Sequence, residues 1–567
     1  MKQALHNIAF SLEHIAQNHP NQTAITESHT GTSISFRELS DESSRVASGL
    51  NQYGLKKGDH VLLFVPFSIR FISIVFALFK AEAVPILIDP GLGKKNTLKC
   101  IRETEAQGII ATPIVHLISK FFPKSFRSLK YKVSTTSCWL WKGGSLKDIG
   151  NRDKPSFAHN ATLSSDPAAI LFTSGSTGSP KGVVYTHGMF SLQLDALRSC
   201  YKIQPGEVDL STFPLFSLFG VGIGMTSILP EMDFTHPAKV NPEKILNTIT
   251  KYNVTSGFGS PALWNTISRY CISNNRHLSS LNRILMAGAP IPGSLIKRFD
   301  HILEPKAKIH TPYGATEALP VTSIERREIL EDTFKKSQQG YGTCVGQIVP
   351  DIELRIIEIT DNSIPEWKDS IELIHGEIGE IAVKGPWVTR NYFKRDDVTR
   401  LAKIKDRGNS FWHRMGDVGY IDDKNRLWFC GRKSQRVRTA NGTLFTIQCE
   451  GVFNAHPKVK RSALVGVGEI ENQKPVIIIE PEHFRELKNN SARNSLIKEL
   501  LALGDQYNHT HQIKDILIHK NFPVDIRHNA KISREQLAQW ATCKILGKHK
   551  RQPSQTKQIK NRPTSTN

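Results

Sequence analysis

The sequence has no run of 18 apolar residues, about the least that a membrane-spanning helix needs. Its longest apolar stretches, such as Phe71–Phe79, have the length of core segments. The first twenty residues lack the continuous apolar region of a secretory signal peptide. Eight cysteines are scattered without a CxxC pair, which argues against a zinc site and a disulfide scaffold. Together these absences predict a protein of the reducing cytoplasm.

Acidic residues are also scarce: 52 Asp and Glu stand against 74 Lys and Arg, a net charge of +22. A basic surface attracts anions such as nucleotides, acidic lipid headgroups and nucleic acid. A compositional bias of the source organism would give the same excess, so charge alone identifies no partner. Seven cations lie between Lys544 and Arg562, where there is no acid. We expect this tail, residues 547–567, to be disordered, and its lack of an apolar face gives no support to membrane contact.

Alternating strand and helix patterns dominate the first 120 residues. HVLLFVP and AVPILIDP read as buried strands, with FISIVFALFKAEA as an apolar helix between them. This order predicts a parallel sheet with right-handed crossovers. Residues 121–160 are irregular, basic and serine-rich, which predicts an inserted loop or hairpin.

The pattern of alternating elements resumes between residues 161 and 430. NPEKILNTITKYNVTS places Pro242 near the start of a helix and ends in a strand-like run. EIGEIAVKGPWVTRNYF alternates with period two, which favours an antiparallel strand. A smaller unit starts at Gly431, with strands ALVGVG and PVIIIEP and a helix near NSARNSLIKELLALGDQ.

A glycine- and serine-rich loop is the strongest functional signal. An apolar strand, Ala168–Phe172, runs directly into it and Lys181 follows it. The loop residues are Thr173, Ser174, Gly175, Ser176, Thr177 and Gly178. Small residues let backbone N–H groups approach an anion, while hydroxyls and a lysine add donors and charge. The composition suits the β- and γ-phosphates of ATP, although it is not a Walker A loop.

The segment LFTSGSTGSPKG resembles the signature loop of the adenylate-forming superfamily, which includes acyl-CoA synthetases, luciferases and peptide-synthetase adenylation domains. The resemblance extends from about residue 5 to about residue 545. It implies an α/β fold, with a large domain of mixed and parallel sheets wrapped by helices over residues 1–431. It further implies a hinge at 432–436 and a small, mobile α+β domain at 437–546. ATP as a substrate and Mg²⁺ are the implied cofactors.

The resemblance assigns nucleotide-binding roles within the segment YGATE. Tyr313 would stack on adenine beside Gly314, and Thr316 would bond the α-phosphate. Glu317, together with Thr173, would bind Mg²⁺, an ion that prefers carboxylate and phosphate oxygens.

Other motifs follow in the order that the superfamily has them. The turn formed by Gly288, Ala289 and Pro290 would lie beside the adenine. Asp417 would accept both ribose hydroxyls, and Arg432 would contact ribose and phosphate. Phe258 and Gly259 would line the acyl pocket.

Lys531 matches the lysine of the small domain that bridges the acyl carboxylate and the α-phosphate. An ammonium there would stabilise the charge that develops as the carboxylate attacks phosphorus. Asn529 departs from the usual Ser/Thr-Gly-Lys context. The implied catalytic residues are thus Lys531, Thr316 and Glu317.

Seven segments are closest to one branch of the superfamily, the β-lactone synthetases of bacterial long-chain olefin biosynthesis. They are LIDPGLG, GVVYTHGMF, STFPLFSLFG, HTPYGATEALPV, FWHRMGDVGYID, RLWFCGRK and NGTLFTIQCEGVFNAHP. This resemblance implies adenylation of a 2-alkyl-3-hydroxy fatty acid and attack by its own 3-hydroxyl to give a β-lactone, AMP and pyrophosphate. Two departures from acyl-CoA synthetases agree: Ser217 replaces a histidine near the thiol tunnel, and Ser434 replaces Asp or Lys in the hinge.

Two other functions stay open. A fatty acyl-CoA or acyl-carrier synthetase would share every adenylation residue and differ only in forming a thioester. A non-catalytic protein that binds nucleotide or an anionic surface is the third alternative. The implied partner is a small lipid acid; association with other olefin-pathway enzymes is left open. No nucleic-acid-binding module is recognisable.

Overall fold

The computed structural model describes residues 6–137, 143–150, 162–173, 180–524 and 532–547. The chain divides into two units, the first running through Ser434. The second comprises Gln435–Pro523 and the residues from Ile532 on. The division falls within residues 432–436, whose action as a hinge stays a prediction.

The first unit contains two large sheets and their covering helices. Its strands are β1 Thr23–Glu27, β2 Ser33–Ser35, β3 His60–Phe64, β4 Val84–Ile88, β5 Gly108–Ala111, β6 Tyr131–Ser134, β7 Gly144–Ser145, β8 Pro167–Thr173, β9 Lys181–Thr186, β10 Val208–Ser211, β11 Thr226–Leu229, β12 Ser256–Gly259, β13 Arg283–Met286, β14 Lys308–Ala315, β15 Ala318–Glu325, β16 Thr343–Ile348, β17 Glu353–Ile357, β18 Gly379–Lys384, β19 Lys403–Lys405, β20 Phe411–Ile421 and β21 Arg426–Arg432. Its helices are α1 Ala9–Asn18, α2 Phe36–Gln52, α3 Ile69–Lys80, α4 Gly93–Thr104, α5 Pro113–Lys120, α6 Leu146–Gly150, α7 His187–Tyr201, α8 Pro214–Ile223, α9 Pro242–Lys251, α10 Pro261–Ser273, α11 Gly293–Arg298, α12 Arg326–Glu328, α13 Phe334–Gln338 and α14 Asp396–Ala402.

The seven-stranded sheet has the order β7-β6-β5-β3-β4-β8-β9 and is parallel except for the β8–β9 pair. The predicted strand–helix–strand unit is confirmed, since β3 and β4 are parallel neighbours joined by α3. Helix α3 begins after Ser68, whose hydroxyl accepts the N–H of Phe71 at 3.2 Å. Its residues are all buried from Phe71 to Lys80, as expected for a helix inside a core.

The fourteen-stranded sheet follows the order β17-β18-β20-β21-β16-β15-β14-β13-β12-β10-β11-β1-β2, with β19 beside β20. Strands β10 to β14 and β1 form parallel pairs, whereas β14 to β21 pair antiparallel. Strands β12, β13 and β14 run in the same direction, so their carboxyl ends lie on the same side of the sheet. The large unit with mixed and parallel sheets, predicted from the resemblance, is confirmed.

Two local predictions need correction. A hairpin within 121–160 is wrong for the described residues, because β6 and β7 are parallel and extend the seven-stranded sheet. Lysines around the short run YKVS concealed this strand. Strand β18 is antiparallel as predicted, but five of its six residues are buried instead of alternating. Helix α9 does begin at Pro242, with Asn241 as its N-cap.

A buried ion cluster ties β18 to β20. The Glu380 carboxylate is 1 % exposed and accepts from Arg414 Nη2 at 2.6 Å. Lys433 Nζ lies 3.1 Å from the same carboxylate and 2.9 Å from the carbonyl of Thr360. Because a buried charge is tolerated only when paired, this cluster fixes the chain at the end of β21.

The second unit is a small α+β fold, as predicted. Its elements are β22 Val437–Thr439, β23 Gly442–Leu444, α15 Thr446–Asn454, β24 Val459–Val467, β25 Lys474–Pro481, α16 Asn490–Gly504, β26 Asp515–Ile518 and α17 Arg534–Leu546. Strand β25 is central, antiparallel to β24 and parallel to β26. Inside this unit the buried Glu450 carboxylate binds Arg534, with Nη2 2.6 Å from Oε2.

No helix in the described part of the chain combines the length and the apolar character needed to cross a bilayer.

Candidate active site

The two strands that flank the predicted phosphate loop, β8 and β9, pair antiparallel. Thr173, the last residue of β8, pairs with Lys181, the first residue of β9. Ser174, Gly175, Ser176, Thr177 and Gly178 lie outside the described residues. The predicted strand before the loop is confirmed, and the register of β8 and β9 brings Thr173 and Lys181, both predicted to bind ATP, side by side.

Tyr392 connects this pair of strands to Glu317. Its backbone forms an isolated antiparallel bridge with Val183, two residues after Lys181. Its hydroxyl donates to Glu317 Oε1 at 2.5 Å, and Lys181 Nζ lies 5.2 Å from its ring centre. Burial, and then the Glu317 charge, raise the pKa of Tyr392, so its hydroxyl keeps its proton and acts as a donor.

The turn between β14 and β15 presents Thr316 and Glu317. Gly314 makes this tight turn feasible, because a Cβ there would lie 2.3 Å from the carbonyl oxygen of Ala318. The carbonyl of Thr316 accepts from the Tyr185 hydroxyl, and the carbonyl of Glu317 accepts from the N–H of Thr389 at 2.9 Å. The backbone of the turn is thus held from two sides.

Two lysines, Lys181 and Lys403, are within electrostatic range of the Glu317 carboxylate. Burial lowers the pKa of Lys181, while the Glu317 charge opposes that change. Lys403 is 6 % exposed and donates to the Thr389 carbonyl; burial lowers its pKa to about 7. A half-buried carboxylate between such groups provides oxygen for a cation and positive charge for phosphates.

Asp417 forms a second cluster with Tyr313 and Arg432. The Tyr313 hydroxyl donates to Asp417 Oδ2 at 2.7 Å, and Arg432 Nη1 lies 2.7 Å from Oδ1. Strand pairing sets this geometry, since Asp417 on β20 faces Arg432 on β21. Each oxygen of the buried carboxylate thus has one partner, and a carboxylate oxygen can accept a second hydrogen bond, as from a hydroxyl. Burial raises the pKa of Asp417, and Arg432 opposes that rise.

The predicted adenine turn lies at the end of β13. Gly288 has φ +98°, a left-handed conformation that glycine adopts without strain. The preceding Ala287 donates its N–H to the carbonyl of Gly259 at 3.3 Å, so this turn adjoins the end of β12. Ala289 and Pro290 follow directly. Their contact with adenine stays a prediction.

The predicted acyl-pocket residues differ in their surroundings. The ring of Phe258 stacks on Phe216, with centroids 4.4 Å apart and planes 16° apart. A Cβ at Gly259 would lie 2.6 Å from Trp264 Nε1, so this glycine makes room for α10. Of these two residues, Phe258 has a side chain that packs on an aromatic residue of α8, whereas Gly259 makes room for a neighbouring helix.

The structure brings together most of the predicted residues that it describes. Thr173, Lys181 and Glu317 are linked through Tyr392; Tyr313, Asp417 and Arg432 form one cluster. Lys531 lies outside the described residues, and its role stays a prediction. Tyr185, Tyr392 and Lys403 could not be predicted from the sequence, because only contacts between distant parts of the chain connect them to the site: Tyr185 is 131 residues from Thr316, and Tyr392 is 75 residues from Glu317.

The sequence model of the AMP-binding enzyme family matches residues 12–393. The chain belongs to the AMP-binding enzyme family. Within it the olefin beta-lactone synthetase of Xanthomonas campestris is 43% identical over 549 residues, covering 94% of this chain and 97% of the relative. The olefin beta-lactone synthetase of Stenotrophomonas maltophilia is 40% identical over 560 residues, covering 95% and 98%.

Solved structures of family members have the same fold. The amide bond synthetase McbA of Marinactinospora thermotolerans matches with a TM-score of 0.76 at 20% identity, covering 94% of this chain and 99% of McbA. The o-succinylbenzoate CoA synthetase MenE of Bacillus subtilis, in complex with an acyl-adenylate intermediate, gives 0.71 at 20% identity, covering 95% and 98%. The chain is thus an ATP-dependent, adenylate-forming ligase with this family's two-part fold.

Proposed function

We propose that the chain adenylates a 2-alkyl-3-hydroxy fatty acid and closes it to a β-lactone. The observation that supports this most is the identity of 43% to an olefin beta-lactone synthetase along nearly the whole of both chains. A second relative with the same name, at 40%, adds to it. The relatives named as CoA ligases reach 24–26%.

The proposed reaction has two steps. A carboxylate oxygen of the acid attacks the α-phosphorus of ATP, and the bond to pyrophosphate breaks. The 3-hydroxyl oxygen then attacks the acyl carbon, the bond to AMP breaks, and the hydroxyl proton passes to solvent. The nucleophile and the electrophile belong to one molecule, which removes the entropic cost of bringing in a second substrate.

Ser217 stands where acyl-CoA synthetases have a histidine near the thiol tunnel, and a serine there fits a reaction that uses no external thiol. Ser217 is fully buried in α8, and its hydroxyl finds no hydrogen-bond partner among the described residues. Thioester formation remains the rival, because relatives named as CoA ligases match more than three quarters of the chain.

Product analysis separates the two reactions. Purified protein would be incubated with ATP, magnesium and a 2-alkyl-3-hydroxy acid, with and without CoA, and the products identified by mass spectrometry. We expect β-lactone, AMP and pyrophosphate in both samples. A CoA thioester in place of the lactone would contradict the proposal.

The residues at the β14–β15 turn fit a magnesium ion. Mg²⁺ is held in proteins by one or two carboxylates together with substrate phosphates, and Glu317 offers a half-buried carboxylate. In the described part of the chain the hydrogen bond from Tyr392 goes to its Oε1, which leaves Oε2 for a cation. We propose that Glu317 and Thr173 hold Mg²⁺, which would neutralise charge on the phosphates of ATP.

Replacing Asp417 with asparagine should weaken ATP binding. The amide keeps the size of the side chain but removes the charge opposite Arg432 and one acceptor for a ribose hydroxyl. A hydrogen bond to a charged group contributes about 1.5–3 kcal/mol, so KM for ATP should rise about 10–100-fold. Steady-state pyrophosphate release at varied ATP measures it. Unchanged KM would show that ribose does not bind at Asp417.

Replacing Tyr392 with phenylalanine should remove the hydrogen bond that orients the Glu317 carboxylate while keeping the aromatic ring. Loss of a charge-assisted hydrogen bond should raise KM for ATP about tenfold, with kcat changed less. Tyr201→Phe is a matched control, because Tyr201 is also buried and its hydroxyl contacts Ser323 at 3.4 Å, on the far part of β15. Equal effects of the two variants would mean that Tyr392 does not position Glu317.

A further inference from the structure

Helix α5 presents a row of large apolar side chains to solvent. The exposed fractions are 69 % for Ile114, 55 % for Leu117, 47 % for Ile118 and 74 % for Phe121 just after the helix. The spacing of three, four and seven residues places them on one face of the helix. Of the twelve large apolar residues exposed in the described part of the chain, these four fall within eight positions.

The opposite face fixes the helix to the seven-stranded sheet. His116 is buried, and its Nε2 lies 2.9 Å from the carbonyl oxygen of Val133 on β6. Val115 and Phe122 pack against the core beneath. These buried contacts fix the orientation of α5, so its apolar face stays exposed and cannot turn toward the core.

The surroundings of α5 are strongly basic. Residues 106–147 contain seven Lys and Arg and no Asp or Glu. The exposed cations among the described residues of this stretch are Lys120, Lys124, Arg127, Lys130, Lys132 and Lys147. Lys94, at the start of α4, lies with its Nζ 4.9 Å from the ring centre of Phe122 and adds an exposed charge at the same end of α5.

We infer that α5 and Phe121 form a docking face for the surface of an anionic lipid bilayer. Amphipathic helices of this kind lie in the interface, with the apolar side chains at the acyl boundary and the lysines among the headgroup phosphates. A second copy of the chain fits less well, since its own basic face would meet like charge. An exposed apolar row surrounded by cations matches a bilayer, whose acyl chains are apolar and whose headgroups are anionic.

This face differs from the basic tail, whose sequence offers no support for membrane contact. Residues 547–567 carry charge without an apolar face, whereas α5 has both components on an ordered element. The inference does not depend on which product the enzyme forms.

Vesicle flotation tests the inference with the full-length protein. The probes are vesicles of pure phosphatidylcholine and vesicles with about a third phosphatidylglycerol, because an anionic fraction creates the surface potential that attracts cations. The variants are Ile114→Ser/Phe121→Ser, which removes apolar contact, and Lys120→Glu/Lys124→Glu, which reverses charge. Ile371→Ser/Ile374→Ser is the matched control, because these residues are 59 % and 74 % exposed but lie among acidic residues.

We expect the unaltered protein and the control to float with anionic vesicles and not with neutral ones. Both α5 variants should bind at least ~tenfold more weakly, and salt should weaken binding of the unaltered protein. Their circular dichroism and their adenylation of a soluble acid should match the unaltered protein. Absence of flotation, equal binding to neutral vesicles or full binding by either α5 variant would overturn the inference. So would a dimer that Ile114→Ser/Phe121→Ser alone dissociates while vesicle binding persists.

Discussion

Glu317→Gln should slow acid-dependent ATP–pyrophosphate exchange by about 10²–10³-fold, the loss expected when metal-assisted charge stabilisation is weakened. The amide has the shape of the carboxylate and still accepts from the Tyr392 hydroxyl, so the turn should stay folded. What disappears is the negative charge that is proposed to hold Mg²⁺ and that also acts electrostatically on Lys181. The exchange rate at saturating acid, measured over a range of magnesium concentrations, gives the effect.

A control on the strand that follows the turn separates site chemistry from strand stability. Glu325→Gln changes a half-buried carboxylate at the far end of β15 and should leave exchange within about twofold. Binding of ATP in the presence and absence of magnesium provides a readout besides activity. Exchange by Glu317→Gln at the normal rate, with unaltered magnesium dependence, would mean that Glu317 does not hold the ion.

Lys531→Ala should reduce adenylation by about 10²–10³-fold while leaving ATP affinity within about threefold. The proposed ammonium contact forms with the carboxylate and the α-phosphate as charge develops between them. Such a contact lowers the barrier more than it stabilises bound ATP, so kcat should fall and KM should change little. Single-turnover release of pyrophosphate measures the step directly.

Lys520→Ala is the matched control for this variant. Lys520 is an exposed lysine of the second unit, and its removal should alter neither rate nor affinity. Normal pyrophosphate release by Lys531→Ala would refute the role proposed for this residue. A large loss of ATP affinity instead would assign Lys531 to ground-state binding.

Apolar periodicity, together with proline and glycine at the ends of elements, was enough to predict the helices and strands that have strong local patterns. The apolar run of α3, the Pro242 start of α9 and the strand before the phosphate loop all lie where the pattern predicts them. Strand β6 was missed because its four residues lie among lysines and gain their stability from pairing with β5. Sheet partners over long separations cannot be inferred from one strand's pattern.

In the candidate site, too, individual residues could be predicted from the sequence but their contacts could not. Motif order predicted Glu317, Asp417 and Arg432 individually, but it did not predict the hydrogen bonds that fix their orientation. Tyr392 reaches Glu317 only because its backbone pairs with β9, and Tyr313 reaches Asp417 only through sheet packing.

Surface features were the least accessible from sequence. The alternation of Pro113–Lys120 is that of an ordinary amphipathic helix with one face buried. Which face is buried depends on His116 and its bond to β6, which no local pattern reveals. The apolar face of α5 was therefore visible only in the folded structure.

Oxygen isotope tracing tests the proposed chemistry most directly. A 2-alkyl-3-hydroxy acid carrying ¹⁸O in both carboxylate oxygens would be converted with ATP, and AMP and the organic product analysed by mass spectrometry. Adenylation followed by attack of the 3-hydroxyl leaves one ¹⁸O in AMP and one in the carbonyl of the β-lactone. A lactone that retains both labels, with unlabelled AMP, would contradict an acyl-adenylate on the path.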